Sequence, residues 1–251
     1  MLRKMLRQTV GSWMRPAVPI DWVQNDETSW LGHYLGSFEK SVRATRFAAR
    51  IERLSAHTTR LGPQRLWDKY LEIPGYHKNN STRRPDEVRS HFDVCNLFAD
   101  LVRVRRPNLV VEFGAAFGVS GMYWLAGLEE VSAGRLLSFE ANKDWCAIAR
   151  QNMTQIGTRF KLVEGTFESN IDVELAPGEK IDICFIDAIH TREFVTRQFE
   201  IVAARLAPQG LVVIDDVDFP GMDGCWEDIA VDPRVRASAI LRRHIGIVEF
   251  K

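Results

Sequence analysis

The sequence predicts a doubly wound α/β domain preceded by a helical segment, and three observations carry that expectation. From Leu109 onward, short apolar runs of strand type alternate with stretches of helical periodicity: Leu109 to Phe113, Leu136 to Glu140, Phe160 to Glu164, Ile181 to Asp187 and Leu211 to Asp215. Near-continuous apolar strands separated by helices are what a parallel sheet covered on both faces requires. The stretch Val110 to Gly121, VVEFGAAFGVSG, passes from such a strand into a glycine-relieved turn and then a helix. Finally, the runs Val235 to Leu241 and Ile245 to Phe250 are separated only by Arg242, Arg243 and His244. Three residues cannot hold a crossover helix, so these two strands should form an antiparallel hairpin.

With 251 residues, 45% hydrophobic and 26% charged, the chain is long enough for one large domain plus an accessory segment, and its composition argues against extensive disorder. No apolar run reaches the ~18 to 20 residues needed to cross a bilayer, and the basic start MLRKMLRQTVGSWMRP lacks a signal-peptide core. A cytoplasmic protein without membrane attachment is expected. Cys95, Cys146, Cys184 and Cys225 are scattered without metal-ligand spacing, which suits buried, reduced thiols.

Net charge is zero but unevenly divided. Residues 1–84 carry 15 Lys and Arg against 7 Asp and Glu, leaving 18 against 26 in residues 85–251. The division suits a solvated helical face, a docking surface for the acidic half of the same or a neighbouring subunit, the latter building a homodimer, or a site for an anionic substrate or nucleic acid. Nucleic acid is the weakest of these, since no recognition motif or interleaved aromatic series accompanies the cations.

Within residues 1–84, the first 20 or so have the makings of an amphipathic arm through Leu2, Met5, Leu6, Val10 and Trp13. The series Leu31, Leu35, Phe38, Val42 and Thr45 predicts a helix from Thr28 to about Ser55, and Pro63 is expected to open a short helix holding Leu66, Trp67 and Tyr70. Residues 72–85, EIPGYHKNNSTRRP, read as a loop that either links or covers a site. Val88, Phe92, Cys95, Ala99 and Val102 then recur at helical spacing up to Pro107.

The turn after the first strand is the natural ligand cradle. Gly114 and Gly118 remove side chains where backbone must bend and a ligand approach, and the helix that follows can receive an anionic group. The segment Glu112-Phe-Gly-Ala-Ala-Phe-Gly-Val-Ser120 resembles the ExGxxxGxS first motif of class I S-adenosylmethionine-dependent methyltransferases, in the form found in catechol and caffeoyl-CoA O-methyltransferases. The resemblance spans roughly residues 86–251. It implies a Rossmann-like seven-stranded sheet in the order 3-2-1-4-5-7-6 with the last strand antiparallel, and a division into a basic helical cap or oligomerisation segment, 1–84, and a methyltransferase domain, 85–251. It also implies that Glu112, Gly114, Ala115, Gly118 and Ser120 hold the methionine end of the cofactor. Glu140, ending the second strand in LLSFEAN, can accept both ribose hydroxyls, as acidic residues do in NAD-binding folds too. The absence of a GxGxxG pyrophosphate fingerprint separates the two. By the same likeness Gly165, Thr166 and Phe167 should flank the adenine, although a capped turn with a core phenylalanine reads equally well.

The runs IDICFIDAIH and GLVVIDDV both end in carboxylates. Ligands of open α/β sheets sit beyond the carboxyl ends of the strands, so Asp187, Asp215 and Asp216 should converge there. Converging carboxylates repel unless protonated or bound to a cation, and hard oxygen ligands suit Mg2+ above all. The pattern resembles the metal site of catechol-type enzymes; the alternative is that Asp187 and Asp215 cap helices or touch the cofactor. Where those enzymes carry a lysine three residues after the first aspartate, this chain has His190, which resembles the DxxH pattern of metal-dependent sugar O-methyltransferases. An imidazole with an ordinary pKa of ~6.5 can take a hydroxyl proton near neutrality. Asp187 and His190 are therefore the expected catalytic pair, and Asp218, Phe219, Met222 and Trp226 either line the acceptor pocket or belong to the core.

The expected activity is methyl transfer from S-adenosylmethionine to a hydroxyl of a small metabolite, with a divalent cation assisting and a histidine base. Three alternatives stay open: a metal-independent N- or O-methyltransferase, one on RNA included; a cofactor-binding interaction protein without turnover; and, more distantly, an NAD-dependent dehydrogenase. IDAIH in place of an NPPY-type sequence after the fourth strand argues against methylation of nucleic-acid bases.

Overall fold

An eight-stranded sheet runs through the centre of the chain, of which a computed structural model describes residues 19–38, 43–73 and 81–251. Its strands are β1 (Ile20–Gln24), β4 (Leu109–Phe113), β5 (Arg135–Glu140), β6 (Phe160–Glu164), β7 (Ile181–Ile186), β8 (Leu206–Ile214), β9 (Val235–Leu241) and β10 (Ile245–Phe250). Two short strands, β2 (Gln64–Arg65) and β3 (Thr82–Arg83), pair with each other apart from the sheet.

The spatial order is β1-β9-β10-β8-β7-β4-β5-β6. Strands β4 to β8 are mutually parallel, and β10 lies antiparallel to both β8 and β9. From β6 to β9 this is the expected 3-2-1-4-5-7-6 arrangement, hairpin included. The correction is an eighth strand: β1 adds to the edge, antiparallel to β9. Its side chains give little sign of it, because Trp22 and Val23 stay exposed. Main-chain pairing holds it, helped by Gln24, whose side-chain amide donates to the carbonyls of Val235 and Arg236 at 3.2 and 3.3 Å.

The single helix expected over residues 28–55 is two, α1 (Trp30–Phe38) and α2 (Ala48–Thr59). Glu249 of β10, fully buried, accepts from the amides of Trp30 and Leu31 and so caps α1 from across the chain. At the break, Glu130 accepts from the Thr45 hydroxyl at 2.6 Å and the Arg46 amide at 2.7 Å, and this competes with helix continuation. Pro63 leads into β2, and only Asp68–Leu71, α3, is helical after it. Val88 lies between a 3-10 turn at Pro85–Glu87 and α4 (Phe92–Arg105), outside the helix whose spacing it shares. The amphipathic arm, Val42 and residues 74–80 of the loop lie outside the described residues.

The remaining helices are α5 (Val119–Val131), α6 (Lys143–Thr154), α7 (Phe167–Glu174), α8 (Arg192–Ala203) and α9 (Cys225–Ala230). One core, including Phe98, Trp124 and Phe185, fills one face of the sheet; a second, including Phe113, Phe199 and Ile214, fills the other. Alternate side chains of β4 and β7 divide between them, which is why these strands read as unbroken apolar runs. All four cysteines are free and buried, as their spacing led one to expect. Among the described residues no helix is long and apolar enough to cross a membrane.

Candidate cofactor and acceptor site

The site lies at the carboxyl ends of β4, β5, β7 and β8, where the strand order reverses. Three connected depressions share Gly114: one of about 540 Å3, one of about 60 Å3 toward Gly165 and Phe167, and one of about 10 Å3 against Ala115 and Ser120. Gly114 is required twice over. Its φ is +88°, and a Cβ placed on it would stand 2.1 Å from the carbonyl oxygen of Asp187. Gly118, φ +83°, begins α5 without a side-chain cap, and a Cβ there would press on Ala149 at 3.1 Å.

The amides of the turn are not free for an anion. Gly114 and Ala115 both donate to the Phe139 carbonyl at 3.0 Å, Ala116 donates to Glu140 Oε2 at 2.7 Å, and Gly118 donates to the Ala115 carbonyl at 2.7 Å. The anion-receiving groups pass instead to the first residues of α5, Val119 to Gly121, since the Met122 amide already donates to the Gly118 carbonyl at 2.9 Å.

Glu112 is fully buried. Its Oε2 accepts from the Ser138 hydroxyl at 2.5 Å, whereas Oε1 has no partner. Burial pushes this carboxyl up to about 7, against the opposing pull of the Ser138 and Ser120 hydroxyls. Glu140 is also pushed to about 7 by burial, with the amides of Asn142 and Ala116 pulling down. Each of its oxygens already accepts one of those amides, at 2.7 Å, so a ribose would use the second lone pair of each. Gly165, φ +137°, and Thr166 line the smaller depression. Phe167 lines it too, but is 2% exposed and stacks on Phe113 at 3.5 Å between centroids, so most of the ring belongs to the core.

At the other end, His190 Nε2 stands 3.6 Å from Asp187 Oδ1 and 3.9 Å from Asp216 Oδ2. Burial, then Asp215 and Asp216, raise the Asp187 carboxyl well above the usual range, and Asp187 and Asp215 are in hydrogen-bond contact. Asp216, left-handed at φ 49°, is half exposed. Asp187 and Asp216 thus stand beside one imidazole, with Asp215 next to Asp187. Among the described residues, however, no three His, Cys, Asp or Glu side chains stand in an arrangement that could hold a metal ion. Phe219 lines the large depression, its ring 5.9 Å from that of His190. Met222 and Trp226 are buried in the core, Trp226 against Gly246, and Asp218 is exposed.

Sequence reasoning missed what the N-terminal segment contributes. The Tyr70 hydroxyl donates to the Ala188 carbonyl at 2.9 Å, and Asn142 donates to the Arg65 carbonyl at 2.8 Å, so β2 and α3 are fastened over the cleft. Leu66, Phe117 and Trp145 form a small core beneath them. Ser90, whose hydroxyl is buried without a partner, and Arg89, held by Glu52 through two bonds of 2.9 Å, line the cleft beside Ser120. Their only signal was position, just before the helix that leads to the first strand.

Residues 111–217 match the family described as "Methyltransferase domain". This is the class I methyltransferase fold. A protein of Mycobacterium sp. (strain KMS) named "Putative O-methyltransferase" is 31% identical over 121 residues, 47% of this chain and 52% of that protein. The chain thus spans about half the length of the curated relatives it matches. Among solved structures, the O-methyltransferase TomG of Streptomyces achromogenes, in complex with SAM, aligns at a TM-score of 0.59 with 15% identity, over 89% of this chain and 96% of that one. An O-methyltransferase from Bacillus cereus in complex with SAH gives 0.58 with 18% identity, over 89% and 98%. The matched residues 111–217 include Glu112, Gly114, Glu140, Asp187, His190, Asp215 and Asp216, whereas Asp218, Phe219, Met222 and Trp226 lie beyond them.

Proposed function

We propose that this chain transfers the methyl group of S-adenosylmethionine to a hydroxyl of a small metabolite. The observation that supports this best is the continuity of the cleft: Gly114 and Asp187 line both the wall beside Ser120 and the depression holding His190. The residues fit the cofactor. Glu112 offers a buried acceptor without a partner, Gly114 leaves room that any side chain would fill, and Glu140 faces both larger depressions. When bound, S-adenosylmethionine supplies an electrophilic methyl group. Glu112 and Ser120 would hold the methionine end, with Ser90 and Arg89 beside them; Glu140 would hold the ribose, and Gly165 to Phe167 would edge the adenine.

On the acceptor side, His190 takes the hydroxyl proton at its ring nitrogen while the oxygen lines up with the methyl group. Asp187 and Asp216 flank the imidazole: Asp187 positions the ring, and the more exposed Asp216 stabilises the cation it becomes. Alignment supplies much of the rate, since two bound reactants held in line react as one molecule. The described carboxylates do not make a three-ligand set, so no step is routed through a divalent cation. A homodimer built through residues 1–84 remains part of the proposal on the charge division alone.

The test is calorimetric titration with S-adenosylhomocysteine, followed by a panel of hydroxylated and aminated acceptors with and without chelator, the product read by mass. Binding followed by O-methylation supports the reading. Absence of binding, or methyl found only on nitrogen, removes it. Loss of turnover in chelator would restore the metal.

A further inference from the structure

The helix α8 carries a polar residue where its pattern calls for an apolar one. Val195, Phe199 and Val202 form the stripe that packs on the sheet, and Gln198 lies on that same stripe with 3% of its surface exposed. Its Nε2 donates to Glu168 Oε1 at 2.9 Å. This bond decides the orientation of the amide, because the flipped form would set a carbonyl against a carboxylate. The other end, Oε1, is then a buried acceptor with no partner. Leaving such an acceptor unpaired costs stability, so the amide calls for a donor that the described residues do not supply.

Gln198 and Glu168 both line the depression of about 60 Å3 that also contains Gly165, Thr166 and Phe139. Resting on the cofactor reading above, this is where the adenine would lie. The edge of adenine carries one donor group, the exocyclic 6-amine. We propose that Gln198 reads that amine, with Glu168 fixing the amide so that its oxygen, not its nitrogen, meets the base. Gln198 is then the residue that selects adenine over 6-oxopurines: a carbonyl at position 6 would face the Gln198 oxygen with no proton between them. Sites that bury a dedicated hydrogen-bonding group reject analogues lacking the partner far more strongly than apolar sites reject extra bulk.

Calorimetry on the full chain with S-adenosylhomocysteine and with S-inosyl-L-homocysteine, which replaces the amine by a carbonyl, measures this directly. The wild type is expected to prefer the amine by at least ~10-fold, the size of one net hydrogen bond, and Gln198→Met to bring the ratio to within about 3-fold. Gln198→Asn, polar but one methylene shorter, should fall between them and serves where the methionine variant does not fold. Glu168→Gln separates the two side chains: if the preference disappears in Glu168→Gln yet persists in Gln198→Met, Glu168 is the reader and the proposal fails. An unchanged ratio in both Gln198 variants, even with a lowered melting temperature, leaves Gln198 a structural residue and also overturns it. Failure of the wild type to bind S-adenosylhomocysteine at all would instead remove the cofactor reading, so the two failures are distinguishable.

Discussion

On the proposed reading, the donor end of the cleft is built from the glycine turn and two buried carboxylates, Glu112 and Glu140, carried on adjacent parallel strands. The end proposed for the acceptor is lined by side chains on loops, His190 and Phe219 after β7 and β8, with Tyr70 and Arg83 brought over from the N-terminal segment. The first set is positioned by sheet register, which tolerates little change. The second hangs from connections that can vary without disturbing the sheet. A fold that holds one methyl donor and many acceptors would be divided in this way.

Gly114 touches both ends, so its substitution should break the division most completely. Gly114→Ala is expected to lose measurable S-adenosylhomocysteine binding by calorimetry and to destabilise the domain by more than about 1 kcal/mol, because the left-handed backbone and the Asp187 carbonyl both exclude a Cβ. His190→Ala should affect only the acceptor end. Turnover should fall at least ~100-fold while S-adenosylhomocysteine affinity stays within error; a matching loss of cofactor affinity would show that the ends are not separable. Glu140→Gln should act only on the donor end, weakening S-adenosylhomocysteine at least about 10-fold in titration and sparing kcat at saturation, because the glutamine keeps an oxygen for only one of the Ala116 and Asn142 amides and turns an NH2 toward the other.

The smallest expected effect is on pH. Glu112 and Glu140 have folded-state values of about 7, above the ~4.3 of an unfolded glutamate. The folded protein therefore binds more protons between those values, and stability from these groups falls as pH rises from about 4.5 through 7. Thermal midpoints of the ligand-free protein should be about 3 °C higher per group at pH 6 than at pH 8. Glu112→Gln should remove its share of that difference; an unchanged slope would place the titration elsewhere.

How much of this could be read in advance follows the same line. Strands β4 to β10 were legible because both faces of the sheet are covered over most of its width and the runs are largely apolar. Strand β1 was not, since it is held by main-chain pairing to β9 and by Gln24, and main-chain pairing leaves no mark on side-chain pattern. The break between α1 and α2 depends on Glu130, 85 residues away from Thr45, and no local window contains it. In the site, Gly114, Glu140, Asp187 and His190 stood out because chemistry and spacing coincide in them. Ser90, Tyr70 and Gln198 did not: a lone serine, tyrosine or glutamine acquires meaning only from what it faces.

By itself, then, the sequence determined the parallel sheet, the antiparallel hairpin at its end and the carboxylates at the strand tips, while the strand order came from the resemblance to class I methyltransferases. These rest on periodicity and on residue types that few other arrangements would accommodate. Only the tertiary structure decided which amides of the turn are already taken, that Asp187 and Asp215 meet while Asp216 lies beside His190, and that the N-terminal segment closes the cleft. Those outcomes depend on contacts between residues distant in the chain, whose geometry is set by packing, and packing has no local signature.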